Sequence, residues 1–345
     1  MKKRPRRVTV LYNTDYDDEL ISASPADVSA VREAAQAVCE AVEANDFETE
    51  LVGVEGPDLA EVMAHLEKQK PDLVFNLCES LSGNTANEPL VPAMLDLLGI
   101  PYTGANALAL GMCLHKDRAK DVLLSRGVTT PNHWVAYTKA DLDNIPELSY
   151  PYFVKLGKED ASIGISGENV VRDEESLRKR AGELLEQYKQ PVICEKYVSG
   201  RELNVTVVGN GDALDCLPLH EIDFAAMPEG SPHIVSYAAK WDENHSDYAG
   251  TLPVPLRDAN PEFVSAVEET SKAAFRAMGL RDFARVDLRV DDKGSAWVID
   301  VNPNCDLSPD AGVARAAAAG GASYAELIGR ICETAWSRHL EIQKP

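Results

Sequence analysis

The run Phe283–Asn302, FARVDLRV-DDKG-SAWVIDVN, leaves the backbone few alternatives. Two stretches of alternating apolar and charged residues flank Asp291-Asp292-Lys293-Gly294, the pattern of an antiparallel hairpin with one buried face. A two-residue turn at Lys293-Gly294 sets Asp287 directly opposite Asp300, and a bulged turn shifts the pairing by one and keeps the two carboxylates close. The alternation assigns Val286, Leu288 and Val290 to the apolar face, with Trp297, Ile299 and Val301. It assigns Arg285, Asp287 and Arg289 to the other face, with Asp300 and Asn302. Opposed carboxylates with Cβ atoms about 5 Å apart repel. A hard divalent cation removes the objection, because magnesium takes carboxylate and amide oxygens together with nucleotide phosphates. The plain alternative is a hairpin with a solvated polar face. Two arginines interleaved with the acids suit a phosphate-bearing partner better than solvent.

Upstream, strands alternate with helices: strand Val8–Tyr12, helix Asp27–Asn45, strand Thr49–Val54, helix Leu59–Gln69, strand Asp72–Leu77 and helix Pro89–Leu98, then a short strand at Tyr102. That order predicts a parallel sheet in a first domain ending near Gly104. Residues 105–131 read as mostly helical. Strands Tyr152–Leu156 and Val192–Tyr197 then flank a glycine-punctuated loop and the helix Glu174–Tyr188. From Glu202 the pattern turns to hairpins, Glu202–Val208 returning along Ala213–Ile222, before the helix Pro261–Met278 and, after the hairpin described above, the helix Tyr324–His339.

Two further segments carry chemistry. Lys155 ends an apolar strand before the loop Gly157–Gly164, whose glycines and amides can fold over an anion; alone, this is equally a surface loop. The strand Val192–Val198, followed by Glu202, can read an adenine edge with its backbone while a carboxylate meets ribose hydroxyls; alone, it is a strand with a charged end.

Composition narrows the partners. A net charge of −22 argues against nucleic acid and anionic membranes, both of which demand a basic footprint. Seven dispersed cysteines without a C-x-x-C pair read as reduced thiols, with Cys305 set apart by its place just beyond the hairpin's Asp300 and Asn302. The apolar stretch behind the basic N-terminus is too short for a signal peptide, so a cytoplasmic location is expected.

In order and spacing these segments resemble the ATP-grasp superfamily, and within it the D-alanine–D-alanine ligase-like branch. The motifs are GIPYTG (99–104), HKDRAK (115–120), FVK with its ASIG loop (161–164), ICEKYVSGRE (193–202), YAAKW (237–241), RVDL (285–288) and IDVNPN (299–304). The resemblance covers residues 99–340 and thins over the first hundred. It implies an α/β chain, α+β in its C-terminal half. It also implies a three-domain ATP-grasp fold with an N-terminal parallel-sheet domain (1–104) and two α+β domains (105–200 and 201–345) clamping ATP.

Carried over residue by residue, the resemblance makes Lys116 and Lys155 phosphate lysines and the loop around Ser162 and Gly164 a flap over the phosphates. Glu195, Lys196 and Val198 resemble the adenine strand, Glu202 the ribose carboxylate, and Lys240 a further phosphate lysine on a mobile loop. Asp287, Asp300 and Asn302 match ligands for magnesium, for which manganese can substitute. Arg285 matches the arginine that stabilises an acyl phosphate. The implied reaction joins a carboxylate to an amine, both small molecules such as amino acids or dipeptides. It needs no protein nucleophile; His115 and His220 read as structural. A homodimer is expected by analogy.

The chain departs from its relatives where the amino acids bind. The segment Asn13–Glu19 replaces a glycine-rich loop ending in glutamate. Ala161 and Trp241 stand where a flap serine and its tyrosine partner are expected, and Pro303–Asp310 replaces a TSPG-like turn. D-alanine is therefore not the expected substrate. Asp306 and Asp310 become candidates for selecting a cationic or amine-bearing acceptor, and Glu79, Glu88 and Glu221 for the first substrate. The competing classes are a phosphotransferase on the same ATP site and a nucleotide-binding protein without turnover; the intact lysine, arginine and metal set speaks against the latter.

Overall fold

The structure, a computed structural model, describes residues 4–14, 25–159 and 161–342. Among these residues the strands form three sheets. The first is parallel, in the order β2-β1-β3, from β1 (Arg7–Asn13), β2 (Glu48–Val54) and β3 (Leu73–Asn76). Its crossovers run through the helices Pro25–Glu43 and Leu59–Gln69. The strand expected at Tyr102 is a single parallel bridge to Val74.

The second sheet is antiparallel, in the order β4-β7-β5-β6. It comprises β4 (His133–Ala136), β5 (Tyr152–Leu156), β6 (Val170–Val171) and β7 (Val192–Lys196). Leu177, Ala181 and Leu184, spaced for one helical face, bury the helix Glu174–Tyr188 against it. The region 105–131 holds two helices, Ala107–Leu114 and Lys116–Ser125; the second stops before Gly127, whose φ of 76° suits a glycine.

The third sheet contains β8 (Arg201–Asn210), β9 (Ala213–Cys216), β10 (His220–Asp223), β11 (Leu252–Pro255), β12 (Asp282–Val290) and β13 (Ala296–Asn302). Its order is β11-β10-β8-β12-β13, with β9 also on β8. The single return strand expected over Ala213–Ile222 is broken in two. Pro218 cannot donate to the ladder, so β9 pairs with the Val207–Asn210 end of β8 and β10 with the Glu202–Asn204 end.

The β12–β13 hairpin differs from the expected two-residue turn. The Asp291 amide donates to the Ser295 carbonyl, and Asp292-Lys293-Gly294 form a three-residue tip with Gly294 at φ 81°. Leu288 therefore pairs with Val298, and a bulge at Ile299 then restores Asp287 opposite Asp300. The faces shift accordingly. Val298, fully buried, takes the apolar place expected for Trp297 and Ile299, while Trp297 pairs with Arg289 and donates its indole N–H to Asp291.

The cores are not confined to one sheet each. Val10, Val38, Val42 and Phe75 of the first sheet and its helix share one apolar cluster with Val208 and Phe283 of the third sheet and with Ile328 and Ile331 near the C-terminus. The helix Tyr324–Ile342 is the bridge, and Arg338 pins it by forking onto the buried Asp282 at 2.8–2.9 Å. Among the described residues no helix is long and apolar enough to cross a membrane.

Candidate active site

The polar face of the third sheet gathers what alternation predicts, with one addition. Asp287 accepts a fork from Arg285, Nε at 2.7 Å and Nη2 at 2.8 Å, and a bond from the Asn302 amide at 3.0 Å. Asn204, directly opposite on β8, donates to its other flank at 2.8 Å. Asn204 is absent from the sequence-based site. The signal is nonetheless present, since in Glu202–Val208 it shares a face with Glu202. Burial opposes the Arg285 charge, but the adjoining Asp287 carboxylate outweighs it and holds the guanidinium pKa above its ordinary value.

Across the hairpin, Asp300 meets the amino end of the Lys116–Ser125 helix. Lys116 Nζ lies 2.8 Å from Asp300 Oδ2. Burial pushes the Asp300 carboxyl up, yet Lys116 and then Lys155 pull it well below the carboxylate range. Lys155 donates to the Ile299 carbonyl at 3.1 Å, an acceptor on the bulge. The same lysine pairs with Glu195 at 3.1 Å, and Lys120 reaches the other oxygen of Glu195 at 2.8 Å. Lys120 also donates to Thr130, whose hydroxyl bonds the Val298 carbonyl at 2.7 Å.

The Glu195 side chain is a buried carboxylate between two lysines, on the strand whose backbone the sequence offers as an adenine edge. Its own burial raises its pKa, and Lys120 followed by Lys155 brings it below the ordinary value. The motif lysine Lys120 is the partner that a residue-by-residue transfer overlooks.

Of the remaining nucleotide-strand residues, Lys196 donates its ammonium to the Ser149 carbonyl, while its backbone N–H bonds Asn132; Val198 is buried. Glu202 is buried beside Arg289, 3.3 Å away. Burial raises the Glu202 pKa, and the Arg289 charge only partly offsets this. Arg289 was expected to favour a phosphate; it is turned instead into the protein, because its place opposite Glu202 and beneath Tyr197 leaves it enclosed.

Segment 157–167, which holds the expected flap, and segment 228–250, which holds Lys240, are tied together. Ser162 Oγ donates to the Val235 carbonyl at 2.9 Å, the Tyr237 amide to Ile165 at 2.9 Å and the Trp241 indole to Ala161 at 3.1 Å. So the Ala161–Trp241 pair keeps a contact between the loops by using a backbone carbonyl in place of a hydroxyl. Gly164 needs its φ of 71°, and a Cβ there meets Leu184 at 3.2 Å. Lys240 is exposed on the short helix Tyr237–Trp241 between these ties. Asp160 and residues 15–19 lie outside the described residues.

The substrate candidates divide. Asn304, two residues beyond Asn302, donates to the Cys78 carbonyl at 2.9 Å and to Glu88 at 3.1 Å. The first sheet's carboxyl edge, where Glu79 takes a backbone bond to Asn13, thereby joins the hairpin. Asp306 is exposed and accepts from Ser308, and Asp310 is exposed beside Arg315. Glu221 does not join them. It pairs in register with Leu203, so it points to the opposite sheet face from Glu202, where Arg201 forks onto it. Cys305 is buried among apolar side chains, its thiol pushed up to about 12 by burial, and so is a packing residue. His220 is buried against the Pro218 carbonyl.

Two carboxylates and an amide make a hard oxygen donor set that suits magnesium, which keeps waters and phosphates for its remaining positions. Among the described residues no larger His, Cys, Asp and Glu cluster offers a competing metal site.

The chain is similar to known proteins along most of its length. The family model described as D-ala D-ala ligase C-terminus matches residues 126–333. An uncharacterised protein of Sinorhizobium fredii is 31% identical over 270 residues, 78% of this chain and 76% of its own. The D-alanine–D-alanine ligase of Methylorubrum extorquens is 31% identical over 309 residues, 87% of this chain and 91% of that protein. The solved D-alanine–D-alanine ligase of Bacillus anthracis complexed with ATP superposes with a TM-score of 0.71 over 98% of this chain and 99% of its own, at 21% identity.

Proposed function

The chain belongs to the D-alanine–D-alanine ligase family of ATP-grasp, ATP-dependent carbon–nitrogen ligases, and we propose that it activates a carboxylate as an acyl phosphate and passes it to an amine. The observation that carries this reading is the convergence of Lys116 and Lys155 on the Asp300 strand beside the Arg285–Asp287 fork. Asp287, Asp300 and Asn302 hold magnesium, which when bound neutralises phosphate charge. Lys116 exchanges Asp300 for phosphate oxygens, Lys155 turns a remaining N–H to them while Glu195 holds it, and Lys240 approaches from the mobile side with Ser162. Arg285 stabilises the charge that develops on the acyl phosphate and in its collapse. The joined loops exclude water from an intermediate that water destroys. Glu195 orients Lys155 rather than touching nucleotide, Lys196 and Val198 line the adenine side, and Glu202 meets the ribose hydroxyls. The domain limits near 104 and 200 belong to the same reading; they fall between the three sheets.

The substrates differ from a D-alanine pair in this reading, because Ala161, Trp241 and Pro303–Asp310 replace the groups expected at the amino-acid end. Asp306 and Asp310 select an amine-bearing acceptor, and Glu79 and Glu88 remain the first-substrate candidates. We place the enzyme in the cytoplasm as a homodimer joined through Leu90, Leu97 and Leu108, which are 48%, 77% and 75% exposed on adjacent helices.

A phosphate-release screen over pairs of L- and D-amino acids and dipeptides with magnesium ATP tests the reading. A ligase releases ADP and free phosphate in equal amounts only when acid and amine are both present. A flat response across all pairs, or phosphate retained on one product, overturns it. Within that screen, unchanged acceptor preference in Asp306→Ala removes Asp306 from the acceptor site.

A further inference from the structure

Arg289 is the most enclosed cation of the third sheet's polar face, and the reaction assigned above does not use it. Its guanidinium is fixed on four sides. Nη1 donates to the His233 carbonyl at 2.7 Å and Nη2 to the Gly200 carbonyl at 3.1 Å. The Tyr197 ring lies 5.1 Å away and the Phe224 ring 5.9 Å away. Phe224 is itself held by stacking on His233, with ring centres 5.2 Å apart and planes 9° from parallel. Such an anchored fork has lost its rotamer freedom before any ligand arrives, so its direction is preset. What it faces is Glu202, its register partner on β8, at 3.3 Å.

An arginine this constrained is an expensive way to fill space. Burying a guanidinium is repaid only where carboxylate and carbonyl partners surround it. The three segments it joins, Tyr197–Gly200, Glu202 and Phe224–His233, border the place proposed for the nucleotide sugar. We propose that Arg289 is a positioning residue for nucleotide binding: it holds the Glu202 carboxylate in the orientation that accepts the ribose hydroxyls. The inference rests on the ribose role of Glu202 proposed above and assigns this chain's own residue to support it. Arg289 touches no reacting atom, so its removal weakens ATP binding and leaves the chemical step intact.

The test is a double-mutant cycle on nucleotide affinity, measured by calorimetry with magnesium ATP and with magnesium 2′,3′-dideoxy-ATP. Glu202→Gln and Arg289→Met each raise the ATP dissociation constant about tenfold, and the double variant is no weaker than either. With dideoxy-ATP, which lacks the hydroxyls, Arg289→Met changes affinity less than about twofold. In turnover the same variant raises KM for ATP and leaves kcat within about twofold. Arg289→Lys keeps the charge without the fork and recovers about half of the logarithmic loss; it replaces Met in the cycle if Arg289→Met does not fold. Additive losses, near a hundredfold in the double variant, or equal losses for both nucleotides, overturn the Arg289 proposal alone. An unchanged ATP affinity in Glu202→Gln overturns the ribose reading itself.

Discussion

The Asn204 amide donates to Asp287 Oδ1 at 2.8 Å from directly across the β8–β12 ladder, on the flank also reached by Arg285 Nε. Asp287 is thus oriented by donors from three strands, and the two single deletions have unequal costs. Asp287→Ala leaves the Arg285 charge without its fork partner, a loss of about 2–3 kcal/mol once partial exposure is allowed for. Asn204→Ala removes one of several donors and costs about 1 kcal/mol. Urea unfolding of both variants checks the order; a larger loss in Asn204→Ala contradicts it.

Glu195 gives the pH dependence a definite sign. Its folded pKa lies below the ordinary glutamate value, so its contribution to stability is complete above the unfolded value of about 4.3. That contribution is lost as pH falls through the lower folded value. The urea midpoint of the wild type should therefore drop steadily below about pH 4, and Glu195→Gln should drop less over the same window. Parallel curves for the two proteins exclude the Lys120–Glu195–Lys155 cluster as the cause.

Trp241→Phe keeps an aromatic ring, though a smaller one, and deletes the donor to the Ala161 carbonyl. One neutral hydrogen bond between the loops is worth about 1 kcal/mol, so KM for ATP should rise about three- to fivefold with kcat little changed. Steady-state kinetics decides this, and a wild-type KM means the tie contributes nothing to closure.

Gly200 and Gly211 both have positive φ, at 116° and 58°, yet a methyl group meets different surroundings. At Gly200 a Cβ falls 2.1 Å from the Val290 carbonyl oxygen, and at Gly211 it meets nothing within 4 Å. Gly211→Ala should cost about 1 kcal/mol of backbone strain, and Gly200→Ala about 3 kcal/mol or more, because the backbone itself must move. Thermal melts of the two variants, compared directly, settle it.

The order of strands and helices is legible in the sequence because periodicity reports burial, and burial is what these elements share. The parallel first sheet and the helix Glu174–Tyr188 follow from it, whereas Asp287 meets Asp300 as expected only because the bulge at Ile299 offsets the longer turn. Periodicity is silent on what a charged side chain faces once buried. Glu195 is buried against Lys120 and Arg289 against Glu202, each pair brought together from segments far apart in the chain. The strand His133–Ala136 escapes for a related reason: it is too short to show a period, and its identity comes from pairing with β7. Glu221 lies on the face away from Glu202 because it pairs with Leu203, and that register between β10 and β8 is not written in the sequence.

The bulge at Ile299 has a practical consequence. It lies between the hairpin tip and the carboxylates, so the distance from Asp300 back to Asp287 is measured from the bulge and not from the turn. Asp292, Lys293 and Gly294 are exposed and carry none of that geometry. The tip is therefore an insertion point, where a tag, a fluorophore or a foreign loop can be spliced without moving the carboxylates. Deleting Ile299 instead brings Asp300 next to Val298, still opposite Asp287 in an unbroken ladder, and removes the carbonyl that Lys155 reaches, so the bulge serves the lysine and not the pairing of the carboxylates.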